Sequence, residues 1–103
     1  MIDDRLIGRH HPLFVIAGPC VIESRNDALA IARDLARVAT SLDLLMIFKA
    51  SFDKANRTSE SSYRGPGLAN GLDILAEIRS ETGLPILTDV HSSEQVPQVA
   101  EVV

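Results

Sequence analysis

The sequence is poor in the residues that most often announce a function. It has one cysteine, one tyrosine, three phenylalanines and no tryptophan in 103 residues. A single thiol excludes an internal disulfide and fits a reducing compartment. No apolar run approaches the roughly 20 residues that a membrane helix needs. The opening, Met1-Ile2-Asp3-Asp4-Arg5, has neither the basic start nor the apolar stretch of a secretory leader. Positive charge is scarce: 10 Lys and Arg stand against 14 Asp and Glu, for a net charge of −4. That argues against general nucleic-acid binding, which uses a basic face. The expected setting is the cytoplasm, with neither a membrane nor a nucleic acid as partner. Three glycine signatures are also missing. Without Gly-x-x-x-x-Gly-Lys, Gly-x-Gly-x-x-Gly or Gly-x-Ser-x-Gly, a phosphate loop, a dinucleotide fold and a serine hydrolase have no support.

What is present is an apolar fraction of 46%, enough for one globular domain over residues 1–103 with a modest core. The polar start ends in His10-His11-Pro12, which reads as a solvated tail or short hairpin. Leu13 to Ala17 is a short apolar run stopped by Gly18-Pro19, a first strand. Ser24 followed by Asp27 marks a helix start. From Ala28 to Leu42, apolar residues recur at three-four spacing, an amphipathic helix with Arg33, Asp34, Arg37 and Asp43 on or near its solvated face. Leu44 to Phe48 is a second strand. A second helix runs from Leu68 to a C-cap at Gly83. Pro85 to Thr88 is a third strand, and a third helix, capped by Ser92 or Ser93, extends to Val103 with Pro97 in its first turn. Strands alternating with helices predict an α/β fold with parallel strands, covered on both faces.

Chemistry in such folds gathers beyond the carboxyl ends of the strands. Each predicted strand end carries candidates: Cys20 after the first, Lys49 after the second, Asp89 and His91 after the third. Plainer roles compete. Cys20 also reads as a small buried residue, Asp89 as a turn or helix cap, His91 as a satisfied loop histidine and Glu23 as a helix-start charge. The second strand end is the richest. From Phe48 to Gly67 the chain places Lys49, Lys54, Arg57 and Arg64 among Ser51, Asn56, Thr58, Ser59, Ser61 and Ser62. Cations interleaved with small hydroxyl and amide groups suit phosphate and carboxylate oxygens. Arg64 has the alternative of bracing this loop through Asp53 or Glu60.

Four segments carry a resemblance: Ala17-Gly18-Pro19-Cys20-Val21-Ile22-Glu23-Ser24, Phe48 to Ser59 with its Lys-Ala-Asn-Arg run, Tyr63 to Leu68, and Thr88-Asp89-Val90-His91. Together they resemble the 3-deoxy-D-manno-octulosonate 8-phosphate synthases, also called 2-dehydro-3-deoxyphosphooctonate aldolases. The synthase that opens the aromatic amino-acid pathway shares Gly-Pro-Cys but has Lys-Pro-Arg-Thr in place of Lys-Ala-Asn-Arg. The resemblance implies condensation of phosphoenolpyruvate with D-arabinose 5-phosphate and water, for lipopolysaccharide core synthesis, by a homotetramer. It implies that Lys49, Ser51 and Lys54 hold phosphoenolpyruvate. It likewise gives arabinose 5-phosphate to Asn56, Arg57 and Thr58, and places Asp89 and Lys54 in the catalytic set. Cysteine at position 20 implies the metal-dependent branch, with the thiolate as one ligand of a divalent ion, for which zinc, iron and manganese are candidates.

A whole (β/α)8 barrel takes about 250 residues. The resemblance therefore implies the N-terminal three βα units of a TIM barrel, truncated, with the remaining metal ligands beyond Val103. The chain alone is expected to be inactive as a synthase. Two alternatives stand beside this reading: a non-catalytic remnant or phosphate-binding fragment, and a related 3-deoxy-heptulosonate-phosphate-type synthase.

Overall fold

A computed structural model describes residues 1–53 and 65–103. Strand β1 spans Phe14–Ala17, helix α1 Arg25–Leu42, strand β2 Leu45–Lys49, helix α2 Leu68–Thr82 and strand β3 Ile86–Leu87. One turn of 3-10 helix, Ser93–Gln95, then leads into the short helix α3, Val96–Ala100. The sheet is parallel, in the order β1-β2-β3, with Phe14 beside Leu45 and Ala17 beside Phe48. Lys49 is registered with Leu87 across the second pairing. The α/β alternation expected from the sequence is therefore present, with a three-stranded parallel sheet.

Local chemistry sets the helix ends. Ser24 is extended, and its hydroxyl accepts a hydrogen bond from the Asp27 N–H, satisfying one of the orphan donors of α1. Asp43 closes α1 in a left-handed conformation and also accepts the Arg5 guanidinium at 2.9 Å. Gly83 closes α2 at φ 72° and donates to the Arg79 carbonyl. Its C-cap role, expected from the sequence, is borne out.

Packing follows the period of two along the strands. Met46 and Phe48 join α1 and α2 in one core with Ile22, Leu29, Phe52, Leu75 and Ile78. Phe48 and Phe52 are among the largest fully buried side chains, and each such side chain contributes about 1.5–3 kcal/mol through burial. Leu45 and Ile47 alternate with these residues and lie on the opposite face, as do Phe14 and Ile16 through the β1–β2 register. Lys49, two residues after Ile47, shares that second face. On the outside, Arg33 makes two bonds of 3.0 Å to the Glu81 carboxylate, and Arg25 pairs with Glu77. The exposed charges of α1 therefore do more than solvate it, because they also fasten it to α2.

Four expectations are corrected. β1 begins at Phe14 and not at Leu13. β3 is two residues, not four, because Thr88 turns its hydroxyl onto the Ala50 carbonyl at 2.8 Å. β2 begins at Leu45 and includes Lys49, since Leu44 donates to the Ala39 carbonyl and completes the end of α1. The last helix starts with a 3-10 turn and stops at Ala100. The amides of Val102 and Val103 both return to the Val99 carbonyl. The N-terminal residues do form a tight turn, in which Ile2 and Arg5 exchange both backbone hydrogen bonds. Among the described residues, no helix is long and apolar enough to cross a membrane.

Candidate functional site

The carboxyl ends of the three strands meet because a glycine lets them. Gly18 has φ 155°, and a Cβ built there would lie 1.9 Å from the Lys49 carbonyl oxygen. No side chain fits at that distance, so β1 can end against β2 only through a glycine. The chain then stays beside the extension of β2. Ser51 donates its amide to the Cys20 carbonyl at 3.2 Å, and Ile22 donates to the Ser51 carbonyl at 3.0 Å. Val21 and Ile22 are buried by this arrangement, while Cys20 between them and Pro19 is exposed. The competing reading of Cys20 as a small buried residue is thereby excluded.

Lys49 and Asp89 complete the same corner. Lys49 Nζ lies 3.4 Å from Asp89 Oδ1, with side chains 43% and 51% exposed. An ion pair this open adds about 0–1 kcal/mol to stability, so its main consequence is orientation. The aspartate is engaged with the lysine, not with a helix end. With residues Ile16 to Cys20, the pair bounds an open cleft of about 230 Å³. Another hollow, of about 340 Å³, lies under the N-terminal turn between Arg5 and Leu45, at the amino end of the sheet. The smaller cleft is the better candidate, because it collects a cation, a carboxylate and a thiol at the end where parallel sheets carry their chemistry.

Behind the cleft, described residues on either side of the stretch after β2 pack around Phe52. Gly65 and Gly71 both come against it: Cβ atoms there would stand 2.5 Å from the Phe52 carbonyl oxygen and 2.3 Å from Phe52 Cβ. The His91 ring meets the Phe52 ring edge-on, with centroids 5.5 Å apart at 77°. Ser51 is 4% exposed. Its hydroxyl donates to the Asp53 carbonyl at 2.7 Å and accepts the Asp53 amide at 3.3 Å, closing a tight turn.

Of the residues singled out in the sequence, Cys20, Lys49 and Asp89 therefore share one cleft, and Ser51 shapes the adjoining turn. Lys54, Asn56, Arg57, Thr58 and Arg64 lie outside the described residues. Several contributors were not singled out: Gly18, Thr88, Phe52, Gly71 and Gln95. A glycine inside the apolar pattern of α2, and Ser92-x-x-Gln95 ahead of α3, were the signals available for two of them. Among the described residues, no group of three or more His, Cys, Asp or Glu side chains is placed to hold a metal ion. Cys20 offers one soft donor to the cleft, with the Asp89 carboxylate also on its wall.

Comparison with known proteins gives the family of the chain. The family model for the DAHP synthetase I family matches residues 2–103. A protein of Albidiferax ferrireducens named 2-dehydro-3-deoxyphosphooctonate aldolase is 55% identical over 97 residues, covering 94% of this chain and 34% of its own. Proteins of the same name from Syntrophotalea carbinolica and Bradyrhizobium sp. are 54% and 56% identical, over 98% and 93% of this chain and 36% and 33% of theirs. The chain thus spans about a third of the length of these relatives.

Proposed function

The chain belongs to the DAHP synthetase I family, and from that premise we propose that it serves a 2-dehydro-3-deoxyphosphooctonate aldolase. In the reaction, C3 of phosphoenolpyruvate bonds to the aldehyde carbon of D-arabinose 5-phosphate. Water adds at C2, and inorganic phosphate leaves. The observation that carries this reading is the convergence of Lys49, Asp89 and Cys20 on one cleft at the carboxyl end of a parallel sheet. Relatives more than 50% identical across nearly the whole chain support it.

The residues divide the work. Lys49 meets an oxygen of phosphoenolpyruvate, and Asp89 keeps its ammonium turned into the cleft. Ser51 acts through the turn that it closes with the Asp53 backbone. By resemblance, Lys54 completes the phosphoenolpyruvate contacts, and Asn56, Arg57 and Thr58 receive arabinose 5-phosphate. Bringing two phosphorylated anions together is costly without such cations, so much of the catalytic effect comes from charge placed in advance.

One donor fits a metal here. The exposed Cys20 thiol would hold a divalent ion such as zinc, iron or manganese, which when bound supplies Lewis-acid activation. Other donors must come from outside the described residues. The same reading carries a closed (β/α)8 barrel, a homotetramer, a cytoplasmic setting and a product destined for lipopolysaccharide core.

The test is to express the longest open reading frame that contains this chain and follow phosphate release from phosphoenolpyruvate. Release that depends on arabinose 5-phosphate supports the proposal. Preference for erythrose 4-phosphate transfers the chain to the heptulosonate-type synthases. A folded product that releases phosphate with neither sugar leaves only anion binding.

A further inference from the structure

The backbone of His91 is held by a side chain from the next element. The His91 N–H donates to Gln95 Oε1 at 2.8 Å. Ser92 is the N-cap of the 3-10 turn, and Gln95 stands three residues after it. In an ordinary capping box, a glutamine at that position reaches back to the N-cap amide. Here the contact falls one residue earlier, on His91, and the Ser92 side chain makes no capping hydrogen bond. The glutamine is therefore spent on the loop and not on the helix start.

That loop is the third wall of the cleft. Thr88 ties it to the Ala50 carbonyl, Asp89 to Lys49, and the His91 ring to Phe52. All three ties run from the end of β3 to the end of β2. Gln95 closes the segment from the other side, fixing where His91 leaves the loop. We propose that Gln95 is a positioning residue of the cleft, setting His91 on Phe52 and, through that short segment, Asp89 against Lys49. Its relevance to phosphoenolpyruvate rests on the reading of the cleft given above.

The test uses the product of the longest open reading frame that contains this chain, labelled for NMR. Gln95→Leu keeps the bulk and removes the acceptor, and Gln95→Glu restores an acceptor oxygen. One lost neutral hydrogen bond corresponds to about a twofold to tenfold change. In Gln95→Leu, exchange of the His91 amide rises by that factor, and the His91 ring protons lose the shift that Phe52 imposes. Phosphoenolpyruvate binding weakens in parallel, while the Val99 amide of α3 keeps its exchange rate. Gln95→Glu returns each quantity to within about twofold of the parent chain. Unchanged His91 signals in Gln95→Leu overturn the proposal, as does failure of Gln95→Glu to restore them. Loss of Val99 protection alongside them also overturns it, because Gln95 is then a helix cap. A parent chain that binds no phosphoenolpyruvate defeats the reading of the cleft, while the His91 signals still decide the role of Gln95.

Discussion

Lys49 Nζ and Asp89 Oδ1 stand 3.4 Å apart, joining the carboxyl ends of β2 and β3 through side chains that are both about half exposed. Exposure of this kind separates what the pair does for folding from what it does for binding. Solvent screens the attraction, so little stability is stored in it. The same openness leaves the ammonium available to an incoming anion.

Replacing Lys49 with methionine is therefore expected to shift the unfolding free energy by less than about 1 kcal/mol. A charged hydrogen bond to a substrate oxygen is worth about 1.5–3 kcal/mol, so phosphoenolpyruvate affinity should fall by about tenfold to a hundredfold. Urea unfolding and calorimetric titration of the same samples check both halves. Unaltered affinity would remove Lys49 from the proposed binding set.

Gly18→Ala should act in the opposite sense, on stability first. The added methyl would sit 1.9 Å from the Lys49 carbonyl oxygen, and neither backbone can yield without parting β1 from β2. Overpacking of this kind costs about 1–3 kcal/mol, and the positive φ adds strain. Chemical denaturation measures the loss. A stability within experimental error of the parent would mean that the close approach of the two strand ends is not rigid.

Gly71→Ala sets two effects against each other. Alanine in a helix interior is favoured over glycine by about 0.8–1 kcal/mol. Its Cβ would, however, lie 2.3 Å from Phe52 Cβ, a fully buried side chain with no room to withdraw. Overpacking at about 1–3 kcal/mol outweighs propensity, so a net loss of stability is expected. A thermal midpoint above that of the parent would show that Phe52 relaxes readily.

These positions also mark where the sequence was legible. Ser24 with Asp27, and Gly83 at the end of α2, were readable because a cap is decided by residues within four positions of one another. The apolar runs gave the strands, and the strand-end rule brought Cys20, Lys49 and Asp89 forward together. Gly18 and Gly71 were harder. Their importance lies in atoms 31 and 19 positions away (49 − 18 and 71 − 52), which no local pattern reports. Thr88 read as a strand residue because its β propensity is high, yet the strand stops at Leu87 and the Thr88 hydroxyl donates to the Ala50 carbonyl. Gln95 read as part of a helix, and only the shift of its bond from Ser92 to His91 gives it another task. The cationic stretch from Lys54 to Arg64 lies outside the described residues, so its expected contacts stay with the resemblance.

The β1 side of the sheet supports a last prediction. β1 pairs with β2 along one edge, and among the described residues no strand lies along the other. Leu13, just before β1, is 73% exposed, and Ile16 within it is 48% exposed. An unpaired edge flanked by exposed apolar side chains is a template for pairing with another chain. The purified 103-residue chain should therefore sediment with a mass that rises with concentration. Leu13→Lys places a charge beside that edge at a position already in water, where substitutions usually alter stability by no more than about 0.5 kcal/mol. Its sedimentation should move toward the monomer while its unfolding midpoint stays near that of the parent. A parent that is monomeric at every concentration would show that the edge is already protected. Equal association in both proteins would place the sticky surface elsewhere, with the half-exposed Val38 and the exposed Leu42 of α1 as the next residues to change.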